Sequence, residues 1–143
     1  MFTISVKTPG FKAFQDALQR VSRFRRSVVL DQLADLMLAQ NRARLDQVKE
    51  GPDGDSWEPW TAAYSAKNSS GELLEKSGDL LSSLQAAVGQ DSVSLGSDLL
   101  YAAVHQYGDD SKNIPARPYM GFSDDDLDEL GALAETFLRG VFR

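Results

Sequence analysis

The sequence predicts an α+β fold, with a small, mostly antiparallel sheet packed against a long N-terminal helical stretch and a C-terminal helix. Three observations carry this. Apolar residues recur every three or four positions over 28–49 and again over 127–141, the period of a helix with one buried stripe. Leu84, Ala86 and Val88 alternate with polar or small neighbours, as do Val93 and Leu95, and Gly89-Gln90-Asp91 between them completes a hairpin signature. Phe2-Thr3-Ile4-Ser5-Val6 alternates as a half-buried strand. The expected order is β-α-α-loop-β-β-α-β-α, helices covering one small sheet.

Taken in order, Thr8-Pro9 reads as N-cap and first helical residue. Phe11, Phe14, Leu18 and Val21 then mark a first helix. The group Arg20, Arg23, Arg25, Arg26 interrupts the apolar pattern, and periodicity does not separate two helices here from one long bent helix. In the second stretch Val29, Leu33, Leu36, Met37, Leu45 and Val48 are expected to be buried, and Gly51-Pro52 stops it. Residues 51–71 turn to Gly, Pro, Asp and Ser around Trp57 and Trp60, which predicts a long loop with a helical turn near 61–66. The two tryptophans are expected to fold back on the core or to anchor a subunit interface, where Trp is enriched. A short helical turn over 72–76 precedes Ser77-Gly78-Asp79 and the apolar Leu80, Leu81 and Leu84.

After the hairpin, Ser97-Asp98 is expected to cap a helix over 99–107 whose apolar side carries Leu100, Ala103, Val104 and Tyr107. Gly108 supplies an αL helix end. Residues 109–113 can bury nothing useful and read as an exposed arm, with Pro115 and Pro118 pushing Ile114 and Arg117 toward extended geometry. Tyr119, Met120 and Phe122 resume an apolar signal, read as a strand over 117–122. Ser123 with a carboxylate three residues on resembles a capping box, and Asp124, Asp125 and Asp126 suit the positive pole of the closing helix.

A chain of 143 residues, 42% apolar and 25% charged, is expected to form one domain over 1–143, with exposed loops at about 51–71 and 108–117. The absence of cysteine removes disulfides and thiolate metal sites. The longest near-apolar run, 28–39, contains Asp31, Gln32 and Asp35 and is too short to span a bilayer, and no signal peptide is expected. A net charge of −6 argues against a surface that binds nucleic acid all over, though an acidic protein can line a path for DNA.

Little in the sequence points to catalysis. With one histidine, His105, no His-pair metal site exists. Its expected role is that of a partly exposed polar group, on a helix that buries its other, apolar face, ahead of a catalytic base. No glycine-rich phosphate loop follows a strand, the three aspartates at 124–126 are explained by capping, and no elbow motif singles out a serine nucleophile. No cofactor and no metal are expected. The concentrated positive charge is Arg20–Arg26, extended by Arg42 and Arg44. It reads either as a solvated face or as a contact to an acidic neighbour subunit or DNA phosphates. Identical neighbours would present acid to this base, and a head-to-tail arrangement of that kind closes into a ring where the rotation permits. The candidate interface residues are therefore Trp57, Trp60, Tyr101, His105, Tyr107, Asp109, Asp110, Lys112, Arg117 and Tyr119, together with Arg23, Arg25 and Arg26. Arg117 is expected to pair with a carboxylate.

The succession of GPDGDSWEPW, LLEKSGDLLSSL, a hairpin, YAAVHQYG and IPARPYMGFSDDDLDEL resembles the virion-morphogenesis (tail-completion) family of tailed bacteriophages, of the phage Mu and phage P2 type. The resemblance runs from about Ala39 to Phe142. It carries over to Trp57, Ser77, Gly78, Leu80, Tyr101, Ala102, His105, Gln106, Gly108, Pro115, Arg117, Pro118, Gly121 and Ser123. The chain departs from the family pattern after Trp57, where the family has a Pro, a short polar run, a Thr and a longer basic segment, whereas here Trp60 and Thr61 follow at once with few bases. The resemblance implies a non-enzymatic structural protein of the virion tail or neck, assembled in the bacterial cytoplasm as a ring, a hexamer, that joins or completes the tail. Its implied partners are further copies of itself, tail-tube or head-connector proteins, and DNA passing through the lumen without sequence-specific contact; no membrane is involved. The competing classes are a small hydrolase using His105 and an acidic protein that mimics DNA charge.

Overall fold

Helix α2 (Arg23–Ala43) is the axis on which the other elements sit. A computed structural model describes residues 2–4, 9–67 and 78–141; the expected Thr8 cap, the turn over 72–76 and Ser77 lie outside them. Helix α1 (Pro9–Leu18) ends before Arg20, and Ser22, in extended backbone, accepts a hydrogen bond from the Arg25 N–H at 3.3 Å to start α2. The arginine group therefore marks a corner between two helices. Phe14 and Leu18 of α1, Val29, Leu30 and Leu33 of α2, and Leu130 and Ala134 of the last helix, α6 (Asp124–Val141), form one apolar cluster. Full burial of a leucine such as Leu18 stabilises by about 1.5–3 kcal/mol.

At its far end α2 widens into a π-turn (Arg44–Val48), closed by the Lys49 N–H on the Arg44 carbonyl at 2.9 Å. The wider turn shifts the register. Leu45 stays fully buried while Val48 is turned out to 55% exposure, so the expectation that both are buried holds only for Leu45. Arg44 is likewise buried and not part of a solvated basic face.

The sheet is antiparallel, in the order β1-β3-β2. Strand β1 (Phe2–Ile4) pairs with β3 (Val93–Ser97), which pairs through the predicted hairpin with β2 (Gln85–Val88). Helix α2 crosses β2 and β3 on one side and lies beside α6. Leu95 of β3 joins Leu45, Trp57, Leu84, Ala102, Tyr119, Met120 and Leu80 of the short helix α4 (Asp79–Ser83) in a second cluster. Met37 packs against both clusters. Helix α3 (Ala62–Lys67) supplies the turn expected in the tryptophan loop and is exposed throughout. Ser97 accepts from the Leu99 N–H at 3.2 Å and meets Ser83 Oγ at 2.7 Å, so it holds the exit from β3 and does not cap a helix.

The segment 117–122 is not a strand. Pro118 offers no N–H, Gly121 sits at φ +150°, and the backbone polar groups of this buried strap are satisfied by side chains. The Gln106 amide accepts from the N–H groups of Tyr119 (3.0 Å) and Met120 (2.9 Å) and donates to the Met120 carbonyl at 2.9 Å. The Asn41 amide oxygen accepts from the Gly121 N–H at 3.0 Å. Arg44 donates to the Gly121 carbonyl at 3.0 Å and forms an ion pair with Asp126. Asp126 also closes the predicted capping box. Its carboxylate accepts from the Ser123 N–H at 3.0 Å, and its own N–H donates to Ser123 Oγ at 3.1 Å.

Candidate assembly surface

Helix α5 (Ala102–Tyr107) is shorter than the predicted 99–107 and turns its other face inward. Its buried positions are Ala102 and Gln106. The strap requires this. The Gln106 amide must reach the strap backbone, and the Tyr119 hydroxyl donates to the Ala102 carbonyl at 2.8 Å. Leu100 and Tyr107 are consequently outside, at 98% and 65% exposure, while Val104 between them is half-buried. This corrects the inward placement expected for Leu100 and Tyr107. Val104 and Tyr107, three residues apart, share a side of the helix, and Leu100 lies in the turn that leads into it. Tyr101 borders them, its ring edge-on to His105 at 5.6 Å.

Beyond α5 the chain makes a tight loop. Gly108 has φ 76° with ψ 175°, outside the αL region expected of it, and a Cβ there would meet the Ile114 carbonyl oxygen and the Ala116 nitrogen at 2.8 Å. Asp109 and Ile114 exchange backbone hydrogen bonds at 2.8 and 3.0 Å, enclosing a 3-10 turn (Asp110–Lys112). Asp109 accepts from the Ser111 N–H at 3.0 Å and hydroxyl at 2.5 Å, and Lys112 lies 3.7 Å from its carboxylate. The Ser111 hydroxyl, first among these, holds the Asp109 carboxyl below its usual range. The predicted arm is exposed, as expected, but its base is tied down.

Arg117 roots the strap against the tryptophan loop. Its Nε donates to the Glu58 carbonyl at 2.7 Å and its Nη2 to the Pro59 carbonyl at 3.2 Å, so carbonyls take the place of the expected carboxylate. Burial pulls the guanidinium below its ordinary pKa, opposed by Glu58 and Tyr64. Trp57, a core residue, donates its indole N–H to the Pro118 carbonyl at 2.8 Å. Trp60 is half-buried and meets Tyr64 edge-on at 5.1 Å. His105 is lowered in pKa by burial and then by the charge of Arg117, and its Nδ1 is buried without a hydrogen-bond partner among the described residues. Burial, then the neighbouring Tyr101 and Tyr107, raises the Tyr119 phenol.

Of the predicted interface residues, the fold thus brings Tyr101, His105, Tyr107, Asp109, Asp110, Lys112 and Arg117 together around α5 and its loop. Trp57 and Tyr119 are interior. Arg23 and Arg25 are exposed and Arg26 half-buried at the opposite end of α2, which at 1.5 Å per residue is about 27 Å from Arg44. Sequence reasoning missed Asn41 and Arg44 as strap ligands and Phe24 as an exposed aromatic at 77%. The signal for Phe24 was present, an aromatic enclosed by arginines in a stretch with no apolar period. Among the described residues no group of three or more His, Cys, Asp or Glu could hold a metal ion, and no helix is long and apolar enough to cross a membrane.

The described residues form an α+β arrangement in which the exposed Leu100 and Tyr107 border a loop tied down at its base. The sequence pattern of the phage virion morphogenesis family matches residues 10–139, and the chain belongs to that family. It is also similar to a protein of Escherichia phage Mu named as a candidate capsid assembly protein, G, at 31% identity over 100 residues. That match covers 62% of this chain and 64% of the phage Mu protein, so the chain spans less than two thirds of that relative's length. No solved structure matches. The family gives the chain a structural or assembly role in the phage virion.

Proposed function

We propose that this chain is a non-enzymatic structural protein of the head–tail junction or upper tail end, working as an oligomeric ring around the DNA channel. The observation that carries this reading is the exposed apolar pair at α5, Leu100 just before the helix and Tyr107 at its end. Leu100 and Tyr107 are held in water by a backbone that the buried strap locks in place, an arrangement that makes sense when another surface covers them. The phage Mu relative is named for capsid assembly, and a position between head and tail accommodates that name as well as tail completion. A net charge of −6 suits a conduit, since attraction to many phosphates would hold the genome back. The surroundings of His105 do not favour the hydrolase reading. Its neighbours are the Tyr101 ring and the Arg117 cation, where a general base is ordinarily supported by a carboxylate. The Arg20–Arg26 group interrupts the continuous acidic face that a DNA mimic needs.

Cryo-electron microscopy of the intact phage particle tests the reading. The expected result is density for several symmetry-related copies encircling the channel between head and tail. Density confined to the capsid shell, or single isolated copies, would contradict it.

A further inference from the structure

The geometry points to a head-to-tail contact in which the α1–α2 corner of one copy docks on the α5 face of the next. This rests on the ring reading and names the two surfaces it would use. The corner presents Phe24 at 77% and Val28 at 39% exposure, bordered by Arg20, Arg23, Arg25 and Arg26. Among the described residues these four arginines form no ion pair, and the next acid along α2 is Asp31. The α5 side presents Leu100, just before the helix, and Tyr107, with half-buried Val104 between them, bordered by the exposed Asp98 and Asp110 and by Asp109, which pairs with Lys112. One patch has an apolar centre with a basic rim and the other an apolar centre with an acidic rim, so they match in both respects.

Their placement decides between a closed pair and a chain of copies. The corner is at the start of α2, and α5 is bound through the strap to Asn41 and Arg44 at its end, about 27 Å away. Two different patches at opposite ends of one molecule make a heterologous contact, which generates a ring or a filament and not an isologous dimer. DNA phosphate is the other natural occupant of these four arginines. The aromatic among them and the matching acidic-rimmed face favour a second copy.

The test is the native mass of the full chain and of two charge-reversed variants, R23E/R25E and D98K/D110K, alone and mixed. All four positions are exposed, and glutamates in the first turn of α2 suit its dipole, so R23E/R25E is expected to stay folded, with circular dichroism as the check. The unaltered chain is expected to form a ring-sized species that weakens as salt rises. Each variant alone should need at least about tenfold more protein to assemble, and an equimolar mixture should regain the ring, because both reversed and unreversed patches then find complements. If D98K/D110K fails to fold, the R23E/R25E and salt results decide alone. A ring that persists in R23E/R25E overturns this contact and leaves the ring reading standing. An unaltered chain that stays monomeric at every concentration overturns both. Duplex DNA binding that R23E/R25E abolishes while the ring persists would assign the corner to phosphate instead.

Discussion

The two ends of the molecule are held together differently. Near the α1–α2 corner Phe14, Leu18, Val29, Leu30, Leu33, Leu130 and Ala134 meet, and among the described residues no buried hydrogen-bonding side chain joins them. Around the strap the core is as well buried, but Asn41, Arg44, Gln106 and Arg117 are buried with it, each bonded to a named backbone group. Apolar packing is non-directional and accepts substitutes of similar volume. A side-chain amide or guanidinium matched to two or three backbone atoms accepts only one arrangement. The difference teaches where precision is located. The end that carries the outward α5 face is the end whose backbone is fixed by directional bonds.

Substitutions sharpen this contrast, beginning with the largest effect. Arg44→Met keeps most of the volume but leaves Asp126 charged and without its partner and strands the Gly121 carbonyl. A loss of about 3–5 kcal/mol in urea unfolding is expected. Gln106→Leu, also close in size, leaves two N–H groups and a carbonyl of the strap unpaired, at about 1–3 kcal/mol for an orphaned group. In the apolar half Leu30→Met should cost less than about 1.5 kcal/mol by the same measurement. If Gln106→Leu proves as mild as Leu30→Met, the two halves do not differ in the way described.

The smallest effect is one of pH. His105 has its folded pKa below the ordinary 6.5 through burial and then Arg117. Its neutral form is therefore the one the fold prefers. Stability is unaffected well above 6.5, declines as pH falls through that value, and levels off once pH is below the folded pKa. Thermal melts between about pH 8 and 5.5 should show the decline, and His105→Gln should flatten it.

The same contrast explains what could be read in advance. The apolar half was legible: the repeat through Val29 and Leu33 and the stripe of α6 correspond to observed helices, because burial there follows repeat alone. The polar half was not. Tyr119, Met120 and Phe122 look like a strand, yet what fixes them is bonding to Asn41, Arg44 and Gln106, residues whose spacing in the sequence carries no period. At α5 the repeat predicts a buried side at Leu100 and Tyr107, and the structure buries Ala102 and Gln106 instead. Periodicity identifies a face, but only the partner determines whether it turns inward. Of the candidate site, Tyr101, Tyr107 and the 109–113 loop were visible as polar or aromatic exceptions, whereas Leu100 was hidden by being apolar.

The most direct test of the central claim uses Leu100, 98% exposed and so almost without influence on the fold. Phage carrying Leu100→Asp would be scored for infectious yield, with a melting curve of the purified variant alongside. The expected result is an unchanged melting temperature with yield reduced at least about tenfold, as for loss of an interface anchor. Full yield from a stably folded Leu100→Asp chain would contradict the claim that this face is where the protein meets its neighbours.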